Sequence, residues 1–178
     1  MYDRFVAAAR AFCRARPAAV LALMLAAALS AGCAQTGRQA DGEAHDHGTH
    51  QLPNGDLQER TASARQLPAF LSGQRQEIAD VYKVAAEHAE LLEWIPCYCG
   101  CGESAGHKSN LNCFIHEIAE DGSVVWDDHG TRCGICLEIA LQSALLQKEG
   151  KSVKEIRDRI DATYEGKAGS PTPTPMPQ

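Results

Sequence analysis

Residues 96–101 read Pro96-Cys97-Tyr98-Cys99-Gly100-Cys101, so three thiols fall within five positions of the chain. Three further cysteines follow at Cys113, Cys133 and Cys136. Thiols oxidise and capture metals, so a density of this kind indicates either a soft-metal site or a set of disulfides. Either outcome requires that the fold bring the six sulfur atoms together.

The hexapeptide at 96–101 favours a metal over disulfides. A bridge between two of its own thiols would close a very small, strained ring. Its three thiols would therefore have to pair with the three later cysteines, and three bridges converging on six residues would be crowded. A shared metal removes the crowding because every sulfur then points inward, and Gly100 lets the backbone curl for this purpose.

Cys133 and Cys136 are three residues apart at the predicted start of a helix, so their side chains lie on one face. The free N–H groups and partial positive charge of a helix start favour thiolates. Three alternatives remain open for this pair: two buried apolar cysteines, a structural bridge, or a redox pair. No βαβ pattern of the thioredoxin kind precedes it.

Soft ions prefer thiolate ligands, and four cysteines already saturate tetrahedral zinc. Six suggest a multinuclear cluster, or one metal plus a disulfide. We therefore predict Cu(I) first and zinc second, because tight Cu(I) binding also protects thiols in an oxidising compartment. The spacings match no common iron–sulfur pattern. The predicted ligands are Cys97, Cys99, Cys101, Cys113, Cys133 and Cys136.

Histidines lie close to the cysteines in sequence. His129 is four residues before Cys133 and is predicted as a ligand or as the orienting partner of one. His116 is expected on the surface, since strand alternation can point it away from Cys113. His107 lies in a loop rich in Gly and Ser and is expected to be solvated. The adjacent acids Asp127 and Asp128 are typical of a solvated turn.

A second group of histidines lies nearer the N-terminus. His45, His47 and His50 occur within six residues and form a weak auxiliary site for Cu(II), zinc or nickel. The alternative is a polar linker in which the histidines occur by chance. If functional, this group would collect metal for the cysteine-rich part of the chain.

The first 32 residues have the pattern of an export signal. Arginines precede an uncharged apolar run from Ala18 to Leu29, too short to span a bilayer comfortably. The run ends in Leu29-Ser30-Ala31-Gly32-Cys33, which resembles a bacterial lipobox. We expect cleavage before Cys33, a lipid on its sulfur, and an exported protein anchored to the cell membrane or outer membrane. The alternatives are an ordinary secretory signal and an uncleaved anchor.

Composition divides the rest of the chain into three parts. Residues 33–66 are polar and are predicted to be a flexible linker. Residues 67–167 can form one small cysteine-rich domain, and the proline-rich residues 168–178 are predicted to be disordered. The net charge of −6 and the lack of a basic stripe argue against nucleic-acid binding.

The predicted fold class is mainly α, with one short β-hairpin. Apolar periodicity predicts a helix from Ser72 to Glu93 that Pro96 stops. A hairpin is expected from Cys113 to Trp126 with its turn at Asp121-Gly122, anchored on the helices by Trp126. A second helix should span Arg132 to Glu149. Its buried residues should be Ile135, Leu137, Ile139, Leu141, Leu145 and Leu146. A third should open with a capping box at Ser152 and Glu155.

The hexapeptide and the pattern after it resemble a bacterial family, the PCYCGC-motif lipoproteins. The resemblance covers roughly residues 75–165. Beyond the hexapeptide it rests on Cys113, Phe114, Gly122, Trp126, His129, Cys133, Cys136, Gly150, Ile156, Arg157, Ile160, Asp161 and Tyr164. The family is uncharacterised in function, so the resemblance implies an export route but does not indicate an activity.

The sequence therefore predicts a lipid-anchored binding protein that sequesters, senses or delivers soft metal, with an envelope metal-transport or metal-accepting protein as partner. The alternatives are a domain stapled by disulfides and an envelope thiol–disulfide redox protein. Hydrolytic catalysis is disfavoured because the chain has no serine elbow, phosphate loop or paired-carboxylate motif.

Overall fold

The computed structural model describes residues 48–177. Its helices are α1 Gln76–Glu87, α2 Ala89–Leu92, α3 Cys101–Ser104, α4 Gly134–Lys148 and α5 Val153–Tyr164. Its strands are β1 Thr49–Gln51, β2 Leu57–Thr61, β3 Ile115–Ile118 and β4 Val124–Asp127. Single turns of 3₁₀-helix span Ala69–Gly73, Leu111–Cys113 and Asp128–Arg132.

The four strands form one antiparallel sheet in the order β1-β2-β4-β3. The predicted hairpin is confirmed as β3 and β4, and the left-handed backbone of Gly122 makes its turn. The predicted mainly α fold class is only partly right, because β1 and β2 enlarge the expected two-stranded hairpin to a four-stranded sheet. The described fold is a helical layer packed on a small sheet.

The two additional strands lie in residues 33–66, where a flexible linker was predicted. β2 pairs with β4, so that Thr61 lies opposite Val124 and Gln58 opposite Asp127. The polar side chains of β2 find buried partners, since Trp126 Nε1 donates to Thr61 Oγ1 over 2.8 Å. Composition missed these strands because β2 is stabilised by pairing with the distant strand β4, and β1 by pairing with β2, not by their own apolar content.

The first predicted helix is divided into two. α1 buries Ile78, Val81, Tyr82 and Ala85, the face that the apolar spacing predicts. His88 then leaves the helical conformation, with φ −115° and ψ 26°, and α2 continues the chain towards the hexapeptide at 96–101. This break redirects the chain before Pro96 ends the helical segment.

α4 has nearly the predicted bounds, but its buried face matches the prediction only in part. Leu141 and Leu145 are 39% and 60% exposed. The helix buries Ile139, as predicted, together with the smaller residues Cys136, Ala140, Ser143 and Ala144. Ile135, Leu137 and Leu146 are partly buried against the core. Small side chains let α1 and α5 approach α4 closely, and both pack against it. α5 begins with the predicted capping box between Ser152 and Glu155.

Aromatic rings join the sheet to the helices. The rings of Tyr82 on α1 and Phe114 are 5.1 Å apart in an edge-to-face contact, and Trp126 on β4 packs beside Tyr82. The hydroxyl of Tyr82 donates to the Asp127 carbonyl over 2.7 Å. Trp126 is fully buried, so its predicted role as the anchor of the hairpin is confirmed.

The proline-rich C-terminal segment, predicted to be disordered over 168–178, is packed along the hexapeptide at 96–101. The Thr172 N–H donates to the Cys97 carbonyl over 2.9 Å, and the Cys97 N–H donates to Thr172 Oγ1 over 2.9 Å. Prolines alternate with threonines from 171 to 175, and the threonines are buried while the prolines are exposed. An extended proline-rich chain loses little entropy on docking, and its threonines supply the polar contacts.

Within residues 48–177, no helix combines the length and the apolar character needed to cross a bilayer.

We predict that Thr172→Val destabilises the protein by about 1–3 kcal/mol, since the buried Cys97 N–H loses its acceptor. Urea unfolding of the reduced protein measures this. Thr163→Val is the matched control, because Thr163 is exposed on α5 and its change should stay within about 0.5 kcal/mol. Equal stability of the two variants would contradict the docked position of the C-terminal segment.

Candidate metal centre

Three separate stretches of the chain bring their thiols to one place. The sulfur of Cys97 lies 3.2 Å from that of Cys136 and 3.4 Å from that of Cys99. Cys99 and Cys136 are 3.6 Å apart, and Cys101 and Cys113 are 3.7 Å apart. Cys133 joins the group through Cys99 and Cys136, as the three sulfurs lie within 4.8 Å of one another. The predicted convergence of six sulfur atoms is therefore present.

Local backbone structure aims these side chains inward. Gly100 has a left-handed backbone with φ 81°, which turns the chain so that Cys101 opens the short helix α3. The Cys133 sulfur caps α4 by accepting the Cys136 N–H over 3.3 Å. The Asn110 N–H donates to the Ile95 carbonyl over 2.8 Å and ties the loop before Cys113 to the residue that precedes the hexapeptide.

The sulfur separations identify the kind of site that these cysteines can form. A metal–sulfur distance of 2.3 Å in a tetrahedron places ligand sulfurs about 3.8 Å apart, whereas a disulfide bond is about 2.0 Å long. The sulfur–sulfur separations of 3.2 to 3.7 Å are near the first value. All six cysteines of the described residues are free. The close cysteine clusters could thus hold a metal ion.

Burial gives the site an inner and an outer side. Cys97, Cys113 and Cys136 are fully buried. Cys99 and Cys133 are partly exposed, and they form the side from which an ion or a reagent can reach the sulfurs.

Hydrogen bonds among the sulfurs and burial shift the pKa values of the cysteines in different directions. Contact with Cys113 lowers the pKa of Cys136 to about 3 and that of Cys101 to about 6. Burial raises the pKa of Cys113 well above its usual value. Mutual contact thus favours the thiolate at some of these cysteines and burial the thiol at others, and a soft ion would displace the remaining protons on binding.

His129 is placed at the cluster, as the sequence predicted. Its Nε2 lies 3.8 Å from the Cys99 sulfur, and its Nδ1 lies 3.1 Å from Asp56 Oδ2. Hydrogen bonds to Cys136 and Cys99 raise the pKa of His129 to about 11. A carboxylate behind an imidazole is the usual arrangement that orients a histidine towards a metal.

His107 is not solvated, contrary to the prediction from its loop. It is 7% exposed, and its Nδ1 lies 3.5 Å from the Cys113 sulfur. The centroids of the His107 and His129 rings are 4.8 Å apart, in an edge-to-face contact. The loop folds inward because the His107 N–H bonds to the Cys101 carbonyl. Sequence reasoning missed a signal here, since His107 lies midway between Cys101 and Cys113.

Two buried carboxylates complete the surroundings of the histidines. Asp56 is 3% exposed and also pairs with Arg132. Asp56 was not identified from the sequence because it lies in the segment predicted to be a flexible linker. Asp127, expected in a solvated turn, is 1% exposed and accepts the His129 N–H over 2.9 Å. Burial raises the pKa of Asp127. Oxygen atoms of both acids lie within 4.8 Å of a His107 nitrogen.

The remaining predicted site residues lie elsewhere. His116 is exposed on β3, as expected. His50 is exposed on β1 and shares a shallow surface hollow with His116. His45, His47, the predicted signal at 1–32 and the predicted lipidation residue Cys33 lie outside the residues that the structure describes.

A family model described as a protein of unknown function with PCYCGC motif matches residues 21–177. The chain belongs to this family. The predicted resemblance is confirmed, and its extent is larger than the 75–165 estimated from the motifs. A search of curated proteins and a search of solved structures each found no match. The function of this PCYCGC-motif protein must therefore be argued from its own site.

We predict that Gly130→Ala destabilises the protein by about 1–3 kcal/mol through overpacking. A Cβ at Gly130 would lie 2.7 Å from the Phe114 ring and 2.9 Å from the Cys113 carbonyl oxygen. Gly134→Ala is the matched control: its Cβ meets nothing within 4 Å, and alanine suits the first turn of α4. Anaerobic urea unfolding compares the two, and a tolerated Gly130→Ala would contradict the close packing beneath His129.

Proposed function

We propose that this PCYCGC-motif protein binds soft metal through its cysteine cluster and sequesters it or delivers it to an acceptor. The observation that carries the proposal is the convergence of six free thiols, from three stretches of chain, at separations suited to shared metal ligation. Free thiols at this density are a liability outside the cytoplasm unless a ligand protects them.

Cu(I) is the ion that this ligand set suits best. Thiolates select soft ions, and six of them exceed what one tetrahedral zinc ion uses. The two imidazoles beside the sulfurs are compatible with copper as well as with zinc. Zinc is the second choice. We assign the protein a binding role rather than a catalytic one.

We propose that the protein is exported and anchored to a membrane by a lipid on Cys33. The support is the arginine-flanked apolar run that ends in the lipobox-like residues 29–33. A lipid anchor would hold the cysteine cluster beside the membrane, where an envelope metal-transport or metal-accepting protein could exchange ions with it. The partly exposed Cys99 and Cys133 offer sulfurs to such an acceptor, and His45, His47 and His50 would capture ions weakly.

The test is Cu(I) loading of the full chain, reduced and handled without oxygen. Native mass spectrometry should show one or more Cu(I) per chain, and Cys97→Ser/Cys136→Ser should lose most of that binding. His116→Gln is the control, because its imidazole is exposed and outside the cysteine cluster. A wild-type chain that remains metal-free would rule the proposal out.

Alkylation distinguishes metal protection from disulfides. In protein isolated without oxygen and without reductant, the six cysteines at 97–136 should label slowly and become reactive when a chelator removes the metal. Three bridges would block labelling whether or not chelator is present. That second pattern would favour the disulfide-stapled alternative.

We predict that Asp56→Asn weakens Cu(I) binding by about 10- to 100-fold, because the amide no longer supplies a charged acceptor for His129 Nδ1. Competition with a chromophoric Cu(I) chelator measures the affinity. Asp158→Asn is the control, since Asp158 pairs only with exposed Lys154 among the described ion pairs. An unchanged affinity in folded Asp56→Asn would contradict the role of this carboxylate in orienting His129.

A further inference from the structure

The sulfur and imidazole donors fall into two neighbouring sets. We infer that the cluster holds two metal ions, one in an all-sulfur centre and one in a mixed centre of sulfur and nitrogen. This inference rests on the proposed metal-binding function and adds to it the number of ions and the ligands of each. The all-sulfur centre comprises Cys97, Cys99, Cys133 and Cys136. The mixed centre comprises Cys101, Cys113, His107 and His129.

The all-sulfur centre is defined by a triangle of short contacts. Cys97, Cys99 and Cys136 have mutual sulfur separations of 3.2, 3.4 and 3.6 Å. Cys133 lies within 4.8 Å of both Cys99 and Cys136. Four sulfurs from the hexapeptide and the start of α4 thus form one connected group, and four is the ligand number of a closed tetrahedral site.

The mixed centre is defined by a second set of contacts. The sulfurs of Cys101 and Cys113 are 3.7 Å apart, and Cys113 lies 3.5 Å from His107 Nδ1. Donor atoms of Cys101, His107 and His129 lie within 4.8 Å of one another. His129 Nε2 also lies 3.8 Å from the Cys99 sulfur, so this imidazole borders both centres. His107 is the member that no sequence motif assigned, and it comes from the loop between the two cysteines.

The carboxylates support the division. Each imidazole of the mixed centre has a buried acid nearby: Asp56 contacts His129 Nδ1, and Asp56 and Asp127 have oxygen atoms within 4.8 Å of a His107 nitrogen. No described acidic residue is grouped with the sulfurs of the all-sulfur centre. Carboxylates behind imidazoles fix the nitrogen that faces the metal, so they belong with a centre that uses histidine.

The number of donors also agrees with two ions. Six thiolates and two imidazoles make eight donors, the number that two four-coordinate ions require. A single ion would leave Cys101, Cys113 and His107 buried with no function in ligation. The sulfurs of Cys97, Cys113 and Cys136 lie within 4.8 Å of one another, so the two centres are adjacent rather than independent.

The experiment uses Zn²⁺ as the probe, because its tetrahedral preference makes ion number report donor number. The full reduced chain is loaded without oxygen and measured by native mass spectrometry and zinc X-ray absorption. We expect two Zn²⁺ per chain and, averaged over both ions, about three sulfurs to one nitrogen in the first shell. Two ions with only sulfur neighbours, or one ion per chain, would overturn the inference.

Histidine variants then assign the mixed centre. His107→Gln and His129→Gln should each reduce loading from two ions to one and remove nitrogen scattering from the ion that remains, whereas His116→Gln should keep two. Unchanged loading and scattering in folded His107→Gln would also overturn the inference. If His107→Gln fails to fold, the wild-type absorption spectrum still decides.

The outcomes separate this inference from the proposed function. A wild-type chain that binds one Zn²⁺ with four sulfur neighbours retains the metal-binding function and rejects the mixed centre. A wild-type chain that binds neither Zn²⁺ nor Cu(I) rejects both.

Discussion

The contact between the hexapeptide at 96–101, the start of α4 and the loop that ends at Cys113 is the constraint on which the rest of the structure depends. It places sulfurs from distant parts of the chain within 3.2 to 3.7 Å of one another. Such proximity concentrates charge and polar atoms in the interior, where unpaired groups are costly. The surrounding elements compensate by supplying partners. The C-terminal segment pairs with the Cys97 backbone, and the Cys133 sulfur caps the helix that carries Cys136.

The sheet contributes to the site as much as the helices do. β4 ends at Asp127, and the following 3₁₀ turn places His129 beside Cys99. The chain before β2 brings Asp56 to the other side of the same imidazole. The strands therefore hold a carboxylate–imidazole pair against a sulfur cluster that the helical elements build.

Regular elements with strong local signals were predictable. The capping box at Ser152, the turn at Gly122 and the apolar face of α1 all follow from short-range rules, and each is found. The errors share a different cause. Strand β2 and the docked residues 169–177 have polar or proline-rich sequences, so their order depends on partners far along the chain, and β1 depends in turn on β2. The exposed Leu141 and Leu145 show the same limit, because hydrophobicity alone does not reveal which face of α4 its neighbours cover.

The sequence by itself determined the chemistry of this protein. It supplies the six cysteines from Cys97 to Cys136, the nearby His129, and membership of a family defined by the hexapeptide. These follow from residue identity and short spacing, which need no knowledge of the fold. Only the tertiary structure decided that His107 is buried against Cys113 and that Asp56 contacts His129. Those contacts join residues whose proximity arises from the packing of the whole domain, and no local interaction along the chain specifies them.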